Sequence, residues 1–313
     1  MKDWKILRIE FNQNLFDTHI DKISESIKKL NTNGLKRTLN SEDKECLEFI
    51  ERNIEKILSA TPKNLKNYIA LFSICFPNSI GIQNQKEENW KPLYKILREN
   101  IFEKEYDNWG KRKKYGAYTF VDTLGLKTCP NCNRNYTFIV DEETGKLRPE
   151  LDHFYPKSIY PFLAMSFYNL IPSCPTCNHT KKDKVNLDLI NPYEIKENDF
   201  KLTYMPNDIN FFKIEKEKYD YKNFEIKFIN NNPNIEIFKL DELYKQHKDI
   251  VLDLLIKKAY YPKSYIKELS SFGFNKEEIY RYLVNNYLKN GDLHKRPLSK
   301  LIKDISEELG LIK

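Results

Sequence analysis

The chain has 313 residues, with 52 Lys and Arg against 45 Asp and Glu and a formal net charge of +7. This length allows one large or two to three modest domains with a real core, and the basic balance favours a polyanionic partner. The first thirty residues alternate apolar and charged positions rather than forming a secretory leader, and no run approaches the roughly 18 apolar residues of a membrane span, so the expectation is a cytoplasmic protein with no membrane contact.

Residues 1–110 read as a helical region. Phe16, Ile20, Ile23, Ile27 and Leu30 recur at helical spacing, and a second stripe through Leu47, Ile50, Ile54 and Ile57 follows Ser41, a candidate cap with Lys44 where a capping box wants Glu. Ser59 to Pro62 breaks the chain; further helices are expected over about Lys63 to Phe76 and Trp90 to Lys104, with a loop over Pro77 to Glu88. Cys46 and Cys75 stand alone in helical patterns and are expected to be buried bystanders. No chemistry is visible in this region.

Residues 111–192 differ in character. They hold twelve basic and eight acidic residues and open on the run Lys111-Arg112-Lys113-Lys114, which reads equally well as a linker. Tyr136 to Val140 is β-rich, Thr144-Gly145 marks a turn, and a second extended stretch starts at Leu147 and ends at Asp152-His153, stopped by Pro156. Inside a regular strand two neighbours point to opposite faces; where the strand gives way to a loop they can converge. A loop over Lys157 to Tyr168, a short strand at Asn169-Leu170-Ile171 and a helix capped by Ser173 or Cys174, with Pro175 in its first turn, complete the segment.

Two Cys-Pro-x-Cys knuckles, Cys129-Pro130-Asn131-Cys132 and Cys174-Pro175-Thr176-Cys177, bracket this stretch. In a reducing compartment such pairs favour metal over disulfide, and four thiolates suit tetrahedral structural zinc. The 41 residues between Cys132 and Cys174 are too many for a compact zinc ribbon, so something else is housed there. Cys177 and Asn178 differ by about 100° around a helix, so Cys177 can face the other knuckle while Asn178 faces the strand ending at Asp152. Asp152 and Asn178 offer hard oxygen donors for Mg²⁺ or Mn²⁺, and His153, with a reference pKa near 6.5, can accept a proton from water attacking phosphorus. Lys181, Lys182 and Lys184 are candidate phosphate contacts, with a solvated helix end as the alternative; Arg134 and Lys157 are weaker candidates.

The order Cys-x-x-Cys, then Leu151-Asp152-His153-Phe154-Tyr155-Pro156-Lys157, then Asn169-Leu170-Ile171-Pro172-Ser173-Cys174-Pro175-Thr176-Cys177-Asn178-His179-Thr180-Lys181, resembles HNH endonucleases with the ββα-metal fold. The resemblance implies metal-dependent cleavage of DNA phosphodiester bonds. It makes His153 the general base, Asp152 and Asn178 the ligands of a catalytic Mg²⁺ or Mn²⁺, and Asn169 the residue that hydrogen-bonds the loop and orients the base. The family's last motif position is often His, so His179 competes with Asn178 for the second ligand. The Asp-His-Phe-Tyr-Pro-Lys-Ser string further resembles the PtuB-like HNH nucleases of Septu-type and retron-associated antiphage systems, which implies an ATPase partner.

Residues 193–313 carry less signal. Phe200 to Tyr204 and Phe224 to Ile229 read as a small sheet or hairpin, and helices return over Leu243 to Ala259, Tyr265 to Phe272, Lys276 to Tyr287 and Leu298 to Leu309. The expected fold is α+β: a central zinc-stapled ββα-metal module between helical regions. The expected function is an HNH endonuclease acting on double-stranded DNA in antiphage defence. The alternatives are a zinc-dependent nucleic-acid-binding or scaffold subunit without catalysis, and an HNH-type ribonuclease.

Overall fold

The computed structural model describes residues 8–77, 91–142, 145–209, 211 and 220–311. The fold is α+β and mostly helical, and among the described residues its strands form three two-stranded antiparallel sheets. No helix among these residues is long and apolar enough to cross a membrane. Contacts cluster the chain into two units, one of residues 9–125 and 138–187, the other of residues 1–8, 126–137 and 188–313.

In the first unit, α1 (Gln13–Lys28) buries Leu15, Ile23 and Ile27. It is followed by α2 (Ser41–Arg52), α3 (Ile54–Leu58) and α4 (Pro62–Cys75). Ser41 is not the cap of α2: Asn40 is, its Oδ1 accepting from the Asp43 amide at 2.7 Å, and a carboxamide in that position satisfies a donor the helix leaves unpaired. Cys46 is buried as expected, whereas Cys75, in the last turn of α4, is exposed. The expected loop over Pro77 to Glu88 lies almost wholly outside the described residues.

The next helix starts as α5 (Pro92–Lys95), passes through a π-helical stretch over Ile96–Phe102, and continues as α6 (Glu103–Lys111). It therefore runs seven residues past the expected end at Lys104. Arg112 is not a free linker cation: it pairs with buried Glu105 at 2.8 Å and bonds Ser26 at 3.0 Å. A helix that the sequence did not suggest, α7 (Ala117–Leu124), starts at Gly116, where an added Cβ would run into the Arg112 carbonyl oxygen, and stops at Gly125 with φ of +65°.

Strands β1 (Val140–Glu142) and β2 (Gly145–Leu147) form a hairpin, and β3 (Glu150–His153) pairs with β4 (Leu170–Ser173), Asp152 opposite Ile171 and His153 opposite Leu170. Helix α8 (Pro175–Lys181) follows at once, with Cys174 as N-cap and Pro175 at its first position, and packs on β3. An aromatic core of Trp109, Phe120 and Phe167 holds the buried His19 among its rings.

In the second unit, β5 (Leu202–Pro206) pairs with β6 (Phe224–Phe228), close to the expected hairpin. The helices are α9 (Pro233–Ile237), α10 (Leu240–Tyr244), α11 (Lys248–Tyr260), α12 (Lys263–Ser271), α13 (Lys276–Val284) and α14 (Ser299–Glu308). The single helix expected over Leu243 to Ala259 is broken by a 3₁₀ turn at Lys245–His247. α13 ends early because Asn285 takes φ of +54°. Asn133 anchors the first knuckle within this unit: its Nδ2 donates to Thr128 Oγ1 and the Leu293 carbonyl, and its Oδ1 accepts from the Lys300 amide.

Candidate metal centre and candidate active site

The cysteine sulfurs of Cys129, Cys132, Cys174 and Cys177 lie within 4.8 Å of one another, and all four residues are buried. Zinc–sulfur bonds of about 2.3 Å place tetrahedral sulfurs roughly 3.8 Å apart, so the cluster could hold zinc. The first knuckle has the backbone for it: Asn133 turns left-handed at φ of +48°, its amide donates to the Cys129 carbonyl at 2.8 Å, and the Arg134 amide points at Cys132 Sγ at 3.4 Å. Arg134, a weak candidate for phosphate contact, instead donates through Nε to His247 Nε2 at 2.9 Å.

Asn169 does what a loop-fixing carboxamide should. It is fully buried; its Oδ1 accepts from the Tyr155 amide at 2.7 Å, and its Nδ2 donates to the carbonyls of Tyr155 at 3.0 Å and Leu163 at 2.9 Å. Its own carbonyl accepts from the Phe154 amide at 2.8 Å. Both ends of the loop after His153 are thus tied to one side chain.

His153 is buried, and its Nε2 lies 3.1 Å from the Ala164 carbonyl oxygen. A carbonyl only accepts, so Nε2 carries the proton and Nδ1 keeps the lone pair. Burial, followed by the positive charges of Lys157 and Lys181, pushes the imidazole pKa down to about 3, so the ring is neutral at pH 7. The Tyr106 ring of α6 packs on it with centroids 4.9 Å apart.

Asp152 is buried next to it but faces a different partner. Lys181 Nζ donates to Asp152 Oδ1 at 2.8 Å and to the His153 carbonyl at 2.7 Å, and is itself only 1% exposed. Lys181 therefore does not stand with Lys182 and Lys184 at the surface, where a phosphate could meet it; those two are exposed. Burial raises the Asp152 pKa and Lys181 pulls it back down.

Asn178 donates through Nδ2 to Glu150 Oε2 at 2.8 Å, and His179 Nε2 lies 3.4 Å from Glu150 Oε1. Its Oδ1 accepts no hydrogen bond among the described residues, which leaves that oxygen as the group able to bind a cation. In donor chemistry, one buried carboxylate and one carboxamide oxygen fit a hard divalent ion.

The structure thus places Asp152, His153, Asn169 and Asn178 on or beside one hairpin and its helix, and among the described residues the side chains of Asp152, His153 and Asn178 hydrogen-bond other partners than one another. Glu150, Arg148 and Tyr106 are neighbours that the sequence did not single out. Glu150 was within reach, being two residues before Asp152 and so on the same face of β3. Nothing in the local pattern around Tyr106 points to His153, 47 residues later.

Comparison with known proteins adds a short match. Over 55 residues the chain is 42% identical to the Septu protein PtuB of Bacillus thuringiensis, a stretch that is 17% of this chain and 21% of that protein. The chain therefore spans about a fifth of the length of the curated relative it matches. No family model matches, and no solved structure matches.

Proposed function

We propose that the protein is a metal-dependent HNH endonuclease that hydrolyses DNA phosphodiester bonds as part of an antiphage defence system. The observation that carries this reading is the hairpin of β3 and β4 with α8 packed on β3, which gathers Asp152, His153, Asn169 and Asn178 beside a four-cysteine cluster. The short similarity to the Septu protein PtuB supports the defence role.

In this reading residues 111–192 form the nuclease module, and zinc bound by Cys129, Cys132, Cys174 and Cys177 is structural. Asp152 and the Asn178 carboxamide oxygen would hold Mg²⁺ or Mn²⁺, which when bound supplies Lewis-acid stabilisation of charge developing on the phosphate. His153 Nδ1 takes the proton from the attacking water, a role usually worth about 10² to 10⁴ in rate. The Ala164 carbonyl fixes the tautomer, and Asn169 fixes the loop that carries Ala164. Double-stranded DNA and an ATPase subunit are the proposed partners.

A second reading, a zinc-stabilised nucleic-acid-binding or scaffold subunit, has one observation in its favour. The Asp152 charge is already matched by Lys181, and the Asn178 amide is engaged by Glu150. Cleavage assays with plasmid DNA and matched RNA, with and without Mg²⁺ or Mn²⁺ and in the presence of the ATPase partner, separate the readings. Metal-dependent DNA cutting supports the nuclease; RNA cutting alone makes it a ribonuclease; no cutting under any condition supports the scaffold.

A further inference from the structure

With Lys181 turned inward, the cations nearest the His153 ring that are not fully enclosed come from elsewhere. Lys157 Nζ sits over the Tyr106 ring, 4.8 Å from its centroid, and its charge acts on His153. Arg148, just ahead of β3, donates to the Pro149 carbonyl at 2.9 Å and lies 5.7 Å from the centre of the Tyr118 ring, and its positive charge acts on the Tyr106 hydroxyl. Tyr106 thus packs on the imidazole, lies under Lys157 and feels the charge of Arg148.

Neither cation is fully neutralised. Lys157 pairs with Glu103 at 3.2 Å, but Glu103 also receives Arg98 at 2.8 Å, so one carboxylate serves two positive groups. Arg148 pairs with no carboxylate among the described residues. Both are partly exposed, and the Tyr118 ring and a backbone carbonyl hold the Arg148 guanidinium in place. A guanidinium held in this way loses little freedom when an anion docks.

We propose that Arg148, just ahead of β3 against the Tyr118 ring, and Lys157, over the ring of Tyr106, form the phosphate-binding site that seats a nucleic-acid backbone against His153. The proposal deepens the nuclease reading and rests on it, because it names the groups that hold the substrate of that same site. Backbone phosphate is common to DNA and RNA, and the site reads no bases.

The test is binding, which does not need turnover. Fluorescence anisotropy of the full chain with a labelled 20-base-pair DNA duplex, and with the matched RNA duplex, is measured without added divalent metal across a salt series. Arg148→Gln and Lys157→Gln are each expected to weaken binding about three- to tenfold for unrelated sequences alike, and each to lower the slope of log K against log salt by about 1. Arg148→Lys keeps the charge and should keep the slope, which separates loss of a contact from loss of fold. Unchanged affinity and slope in the double variant, or a parent protein that binds neither duplex, overturns the proposal. Binding that falls in the variants while the parent cuts nothing overturns the nuclease reading and keeps this site; cutting with binding untouched by both substitutions does the reverse.

Discussion

Lys181 Nζ lies 2.8 Å from Asp152 Oδ1, and both side chains are almost wholly enclosed. This pair joins α8 to β3, and the second bond of the ammonium, to the His153 carbonyl, fixes the end of the strand that carries the candidate base. Breaking a buried pair by removing one partner leaves an uncompensated charge, at a cost of about 3 to 5 kcal/mol. Lys181→Met should therefore lower the urea midpoint by a corresponding amount. A change below about 1 kcal/mol would assign the pair the weight of a surface ion pair.

Asn169 makes three side-chain hydrogen bonds in a fully buried site. Asn169→Ala orphans the Tyr155 amide and leaves the Tyr155 and Leu163 carbonyls without this donor, at about 1 to 3 kcal/mol for each unsatisfied group. A loss of about 3 kcal/mol or more is expected in equilibrium unfolding. A near-neutral result would show that the loop holds its shape without it.

His19 supplies a pH test. It is fully buried, its Nε2 donates to the Met165 carbonyl at 2.7 Å, and its Nδ1 accepts from the Tyr115 hydroxyl at 2.9 Å. Burial holds its pKa down at about 4. The unfolded chain, with the ordinary value near 6.5, takes up this proton first, so folding stability falls as pH drops from about 6.5 to about 4. The contribution is about 3 kcal/mol at 1.36 kcal/mol per pKa unit. Urea melts at pH 7 and pH 4.5 should show a smaller pH dependence in His19→Gln than in the parent; equal dependence would contradict it.

The cysteine cluster predicts about one zinc per chain in elemental analysis of protein purified without chelator. Structural zinc can supply about 10 to 16 kcal/mol of folding free energy, so chelation or Cys177→Ala should unfold the region around it, seen as lost thermal cooperativity. Metal-free protein with an unchanged melt would contradict a structural role.

The sequence made legible those features whose signal is local. The knuckle spacing pointed to a four-thiolate cluster, Pro156 to the end of the strand, and Pro175 behind a capping position to the start of α8. Asn169 was placed at the loop by resemblance, and its hydrogen bonds give that placement a physical basis. Lys181 was not legible: a lysine in the last turn of a seven-residue helix reads as a solvated end, and only tertiary packing sets it against Asp152. Tyr106 was illegible for a related reason, because its partners lie 42 to 51 residues away along the chain. α7 escaped notice because glycines bound it and apolar and aromatic residues fill it, a pattern shared with a short strand.

His153 is proposed as the catalytic base of a module that folds without it. The most direct measurement compares the parent with His153→Ala for plasmid cleavage in Mg²⁺ or Mn²⁺, with zinc content and thermal unfolding measured on the same samples. The variant is expected to keep its zinc and its cooperative melt while cleavage falls by about 10² or more. Cleavage that persists in a folded, zinc-loaded variant would contradict it.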